Sequence, residues 1–194
     1  MNPDETSQEV LSLFKQTGAL LHGHFVLRSG LHSREFFQCA LLLQDAVVAE
    51  RVCGLLADLL REYDAETVVS PAVGGIVVGQ EVARHLRKRH IFVEKDGEGG
   101  LVLRRGFTIR PGEKIVVAED VVTRGGRVQE TIDIIRAAGG EVLAAGSIVD
   151  RSGGQLPDFG CPFHSLVKMT PETFAADALP PDLAGTPGVK PGSK

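Results

Sequence analysis

Little in this 194-residue sequence invites a membrane, a nucleic acid or a disulfide framework. Wholly apolar runs such as residues 115–118 end after a few positions. A membrane-crossing helix needs about 20, so no membrane partner is expected. The opening residues are acidic, with Asp4 and Glu5 and no basic stretch ahead of an apolar core, so no secretory leader is expected. Positive charge is not in excess: 21 Lys and Arg stand against 25 Asp and Glu, a net charge of −4. That balance argues against a dedicated nucleic-acid binder. Cys39, Cys53 and Cys161 form no CxxC pair, and their number is odd. Neither a disulfide scaffold nor a zinc site follows, and a reducing cytoplasm fits. The six histidines show no HExxH or other ligand spacing. A Walker loop, GxxxxGK[ST], is absent, and no GxGxxG follows a strand, which removes two common nucleotide fingerprints.

What remains is an ordinary globular composition, 43% apolar and 24% charged, of one-domain length. Glycine is abundant, at 23 residues, which suggests loops where backbone approaches something closely. Amphipathic spacing predicts helices over 5–16 and 46–62. Further helices are expected at about 76–88 and 128–138, and short strands at 67–70, 91–94, 115–118 and 142–149. Residues 19–44 read as short strands and loops, 95–100 as an exposed, mobile loop, and 119–126 as a loop. Strand–loop–helix units recurring at this spacing imply an α/β fold, a parallel sheet with helices on its faces. Right-handed crossovers gather loops 70–75, 119–127 and 150–154 at the carboxyl edge of that sheet, where ligands bind. Three regions are expected: an N-terminal segment over 1–45, a core over 46–176, and a flexible, Pro-rich tail over 177–194.

The chemistry concentrates in Lys114-Ile-Val-Val-Ala-Glu-Asp-Val-Val-Thr-Arg-Gly-Gly-Arg127. A buried strand delivers Glu119 and Asp120, and Thr123-Arg-Gly-Gly-Arg127 leads into a helix. Unpaired N–H groups at a helix start favour an anion. Gly125 and Gly126 let backbone curl round a phosphate, and the Thr123 hydroxyl adds a donor. Two carboxylates beside that cradle would repel the phosphate itself but would suit hydroxyl groups or a divalent metal. A sugar phosphate meets both conditions.

This segment resembles the phosphoribosyl-diphosphate (PRPP) motif of type I phosphoribosyltransferases. Residues 8–170 resemble the branch of that family that acts on orotate. The resemblance is carried also by Gly23-His-Phe-Val-Leu-Arg-Ser-Gly30 with Phe36-Phe37, by Pro71-Ala-Val-Gly-Gly-Ile76, by Phe92-Val-Glu-Lys-Asp-Gly-Glu-Gly-Gly100, and by Ile148-Val-Asp-Arg151. It implies a central parallel sheet with a small N-terminal hood, and transfer of phosphoribose from PRPP to orotate with release of diphosphate. It further implies Mg²⁺ carried by the diphosphate, with no metal ligand from the chain, and a cytoplasmic homodimer whose loops cover the partner's site. PRPP would be held by Gly74, by Glu119 and Asp120 on the ribose, and by Val121, Val122, Thr123, Arg124, Gly125, Gly126 and Arg127 round the 5-phosphate. Orotate would be held by Thr123, Arg151, Arg28, Phe36 and Phe37, with Arg151 on the carboxylate.

Three departures accompany the resemblance. Arg127 stands where the family usually has Thr or Ser, and Gly74 where some members have Lys. The loop before Glu98-Gly-Gly100 is shorter by about three residues and keeps one lysine, Lys95, which inherits the catalytic role. A phosphoribosyltransferase for another base would share the PRPP motif without needing an arginine for a carboxylate. A non-catalytic PRPP-sensing regulator would keep the cradle and bind nucleic acid, against the charge balance. The basic run 84–90 reads as a solvated helix end, where cations complement the dipole.

Overall fold

The structure is a computed structural model and describes residues 2–27, 29–170 and 172–191. Two sheets organise it. The larger has six strands in the order β5-β4-β3-β6-β7-β8: β3 (Thr67–Pro71), β4 (Arg89–Lys95), β5 (Leu101–Leu103), β6 (Lys114–Val122), β7 (Glu141–Asp150) and β8 (Phe163–Lys168). All neighbours are parallel except β5, which returns antiparallel along β4. Every residue of β3 is buried, as a central strand covered on both faces requires.

Helices cover both faces. α1 (Pro3–Gln16), α3 (Ala46–Leu60) and α4 (Gly74–Leu86) share one core with Val68, Val116, Ala118 and Ile148. α5 (Gly126–Ala137) packs Val128, Ile132 and Ile135 on the other face, against Val69, Ile115 and Val117. Alternate residues of β3 and β6 thus feed opposite cores, the two-residue period of a strand. The starts of α1 and α3 are capped: the Asn2 side chain accepts from the Asp4 N–H, and Asp45 accepts from the Val47 and Val48 N–H groups.

The smaller sheet, β1-β2-β9, joins β1 (Leu20–Val26), β2 (His32–Phe37) and β9 (Thr173–Phe174), all antiparallel. The short α2 (Cys39–Leu43) links it to the core. No described helix is long and apolar enough to cross a membrane.

Two expectations are corrected. The strand expected at 115–118 runs to Val122, because its parallel pairing with β7 continues to Val122 opposite Asp150. Glu119 and Asp120 therefore lie within a strand, not in the loop expected over 119–126. Residues 97–99 are exposed, as expected of the 95–100 loop, which closes the β4–β5 hairpin: Asp96 Oδ1 accepts from the N–H groups of Glu98 (2.7 Å) and Gly100 (3.1 Å). The second correction is the tail expected from 177. Residues 181–184 form α6 (Pro181–Ala184), with Leu183 buried. Val189 exchanges backbone hydrogen bonds with β1, to Val26 N–H and to the His24 carbonyl, both 2.8 Å. Asp182 pairs with Arg34 at 2.7 Å, and Thr186 O lies 2.7 Å from His24 Nδ1. A Pro-rich composition hid this docking, because its partners lie about 160 residues earlier in the chain.

Candidate active site

A cavity of about 800 Å³ opens at the carboxyl edge of β3, β4 and β6. Two helices begin there, α4 after β3 and α5 after β6. Unlike α1 and α3, neither has a side chain capping its first turn. Their free N–H groups and positive dipole ends face the cavity, a setting that attracts anions.

The turn from β6 into α5 holds the phosphate-loop residues. Val121 and Val122 finish the strand, and Thr123 and Arg124 are exposed. Gly125 is buried with φ +75°, and a Cβ there would lie 2.8 Å from the Phe159 ring, so only glycine fits. Arg127 lines the cavity, with its guanidinium engaged by protein partners. Its Nη1 donates to Glu130 (2.7 Å) and its Nη2 to the Gly99 carbonyl (3.0 Å). Glu130 also accepts from the Leu101 N–H. The start of α5 is thereby tied to the β4–β5 hairpin.

The acid pair lies opposite the start of α4. Glu119 is buried, and that burial, with the Asp120 charge beside it, pushes its carboxyl well above the usual carboxylate range. The Asp120 N–H donates to Glu119 Oε1 at 3.0 Å, and the Val121 N–H donates to Asp120 Oδ1 at 2.8 Å. A Cβ on Gly74 would strike the Asp120 carboxylate, and one on Gly75 would lie 3.1 Å from Glu119 Oε1. The side chain missing at Gly74 is the space that Asp120 fills.

Lys95, at the end of β4, also lines the cavity. So does Arg105, which sequence reasoning missed. It follows β5 and reaches the site because β5 folds back along β4, pairing Leu103 with Val93. The signal was a hairpin register, which single-residue motifs do not carry.

Arg151 follows β7, and its N–H donates to the Val122 carbonyl (2.8 Å). The guanidinium lies 5.7 Å from the Phe36 ring centroid and 6.0 Å from that of Phe37. Burial works against its charge, and its buried Nε makes no hydrogen bond among the described residues. It does not pair with the neighbouring Asp150, which accepts from the Ser152 N–H instead (2.8 Å). The two phenylalanines differ: Phe37 packs edge-on to Phe14 in the core, whereas Phe36 is half-buried. Arg28 lies outside the described residues.

Residues 42–167 match the model of the phosphoribosyl transferase domain family. The chain is 47% identical over 188 residues to the orotate phosphoribosyltransferase of Carboxydothermus hydrogenoformans, covering 96% of this chain and 97% of the relative. It is 49% identical over 192 residues to that of Sphingopyxis alaskensis, covering 97% of each. Among solved structures, the orotate phosphoribosyltransferase of Aeropyrum pernix superposes with a TM-score of 0.73 at 26% identity, over 82% of this chain and 93% of that one. The adenine phosphoribosyltransferase of Rhodothermus marinus gives a TM-score of 0.66 at 20% identity, over 84% of this chain and 99% of that one. That likeness speaks to the fold alone.

Proposed function

The chain belongs to the orotate phosphoribosyltransferase family, and on that premise we propose how its own residues carry out the reaction. The enzyme transfers the phosphoribosyl group of PRPP to orotate, giving orotidine 5-monophosphate and diphosphate.

The 5-phosphate sits on the N–H groups at the start of α5, with the Thr123 hydroxyl as a further donor and the exposed Arg124 beside them. Arg127 contributes its backbone N–H, because its side chain is engaged with Glu130 and Gly99. Glu119 and Asp120 hold the ribose hydroxyls. Burial pushes the Glu119 carboxyl well above the usual carboxylate range, which favours its protonated form, and a protonated carboxyl can donate to a hydroxyl as well as accept from one. The diphosphate lies toward the uncapped start of α4, over Gly74, where a hairpin Lys95 of the dimer faces it.

Orotate lies beside Phe36 and Arg151, with the guanidinium on its carboxylate and Thr123 within reach. This is the assignment that the Arg151 geometry supports most directly: a half-buried arginine whose buried Nε lacks a partner among the described residues, set beside an aromatic ring and the phosphate loop. A fork of N–H donors matches a planar carboxylate. Arg28 belongs to the same proposed pocket by resemblance only. The sheet β1-β2-β9, together with 177–191, serves as the hood.

The orotate anion is already electron-rich at N1, so no strong base is required. Positioning, stabilisation of the leaving group and exclusion of water carry the barrier reduction. No cluster of three or more potential metal ligands occurs among the described residues. Mg²⁺ would arrive with PRPP and would supply neutralisation of diphosphate charge. The functional unit is a homodimer in which the tip of the β4–β5 hairpin carries Lys95 to the partner's cavity, whereas Arg105, at the base of the hairpin, serves the cavity of its own subunit. The three free thiols accord with a reducing, cytoplasmic setting.

The test is the loss of orotate absorbance on adding PRPP and Mg²⁺, with adenine, guanine, xanthine and uracil as controls. Arg151→Ala should weaken orotate binding by about 10–150-fold, the loss of a charged hydrogen bond worth about 1.5–3 kcal/mol. PRPP affinity should hardly change. An equal collapse of PRPP binding would remove Arg151 from the orotate pocket.

A further inference from the structure

We infer that Arg105 is the second protein cation of the diphosphate site, standing in for the lysines that Gly74 and the short hairpin lack. A diphosphate leaving group carries several negative charges in a partly enclosed cavity, where one lysine is a thin counterweight. The turn into α4 cannot supply another cation, because the space over Gly74 is filled by Asp120. The hairpin holds only Lys95 between Glu94 and Gly100.

The antiparallel return of β5 places residues 104–106 beside the end of β4, and the two consecutive arginines part there. Arg104 donates to the Asp96 carbonyl (3.2 Å), bracing the hairpin. Arg105 lines the cavity. Its φ of +61° is one that residues other than glycine seldom adopt, and the turn holds it there. Its guanidinium stands 5.7 Å from the Phe92 ring centroid, and Nη2 donates to Glu94 Oε2 (2.7 Å). The side chain is 59% exposed, so the fork keeps open donors. Glu94 lines the same cavity, and its carboxylate shows that this position of Arg105 accepts an anion. When diphosphate enters, the remaining donors of Arg105 bind its oxygens while the ring face and Glu94 keep the guanidinium in place. A planar arginine fork is well matched to phosphate oxygens.

The inference rests on the diphosphate-releasing reaction above. Titrating Mg-diphosphate against the resting enzyme, with no orotate present, reads it separately from orotate turnover. Arg105→Gln should weaken diphosphate by about tenfold or more. Affinity for orotidine 5-monophosphate, which has no diphosphate, should stay within about twofold. Arg105→Lys should fall between wild type and Arg105→Gln. Arg110→Gln, an equal loss of charge at a residue paired with Glu66, should match wild type. Equal weakening of both ligands, or a change in diphosphate affinity no larger than that of Arg110→Gln, would overturn the proposal. If Arg105→Gln does not fold, Glu94→Gln carries the test: the amide oxygen still accepts from Arg105 and keeps it in place, the negative charge beside the site is lost, diphosphate should bind more tightly, and unchanged or weaker binding would overturn the proposal.

Discussion

Glu119 shows what a single residue in this site costs the protein. Its carboxyl is buried beside Asp120, so the folded state holds its proton more tightly than the unfolded chain does. A raised folded-state pKa gives stability that is complete below the unfolded value and is lost as pH rises through the folded one. The ligand-free enzyme should therefore lose stability upward from the ordinary carboxylate range. Glu119→Gln keeps the acceptor for the Asp120 N–H and cannot ionise. It should melt a few degrees higher than wild type at neutral pH, a gain on the order of 1 kcal/mol, and its melting temperature should vary less with pH. PRPP binding should weaken. A melting temperature unchanged or lower at every pH would show that Glu119 is stable as the anion. At this scale the acids and the Gly-Gly pair were legible in the sequence, because a strand delivering them to a helix start is a local pattern. The pairing of Gly74 with Asp120 was not, since the two are 46 positions apart and meet only through the adjacent placement of β3 and β6.

At the scale of elements, the hairpin between β4 and β5 is joined to α5 by Arg127 and Glu130. A substitution that removes a hydroxyl donor from the phosphate loop supplies a brace for the shortened hairpin. Glu130→Gln weakens two contacts at once, the ion pair with Arg127 and the acceptor for the Leu101 N–H. Exposed ion pairs contribute only about 0–1 kcal/mol, and a hydrogen bond to a charged group somewhat more. Amide exchange at Leu101 should quicken severalfold, to about tenfold, in the ligand-free enzyme. Unchanged exchange would mean that the Asp96 turn alone holds the hairpin. The helices and buried strands were readable from periodicity. The hairpin was not, because glycines and polar residues in 95–100 look the same in a loose loop and in a turn organised by one aspartate.

At the scale of the whole molecule, the shared-site reading has a direct test. Lys95→Ala should lower kcat strongly and move KM little, because charge on the leaving group develops mainly in the transition state. Mixing Lys95→Ala with Asp120→Asn subunits would place both lesions in one site of each heterodimer and leave the other intact. Activity should rise well above that of either variant. A mixture no more active than its components, after verified subunit exchange, would mean that Lys95 serves its own subunit. The flanking regions were the least legible part of the chain. Alternation within residues 19–44 is weak, and nothing local marks 173–189 as partners of β1 and β2.

That late pairing sets an order of events during synthesis. A ribosome that has delivered the chain through Lys168 has made all six strands of the larger sheet, and domains begin to form from the N-terminal side. β1 and β2 have emerged by then, but Phe174, Asp182 and Val189, which pair with them, have not. The nascent core can thus assemble its phosphate cradle while the hood still waits for its outer strand. A messenger cut short after codon 170 should yield a chain with a near-complete core and an unfinished cover, prone to offer the bare edge of β2 to another chain.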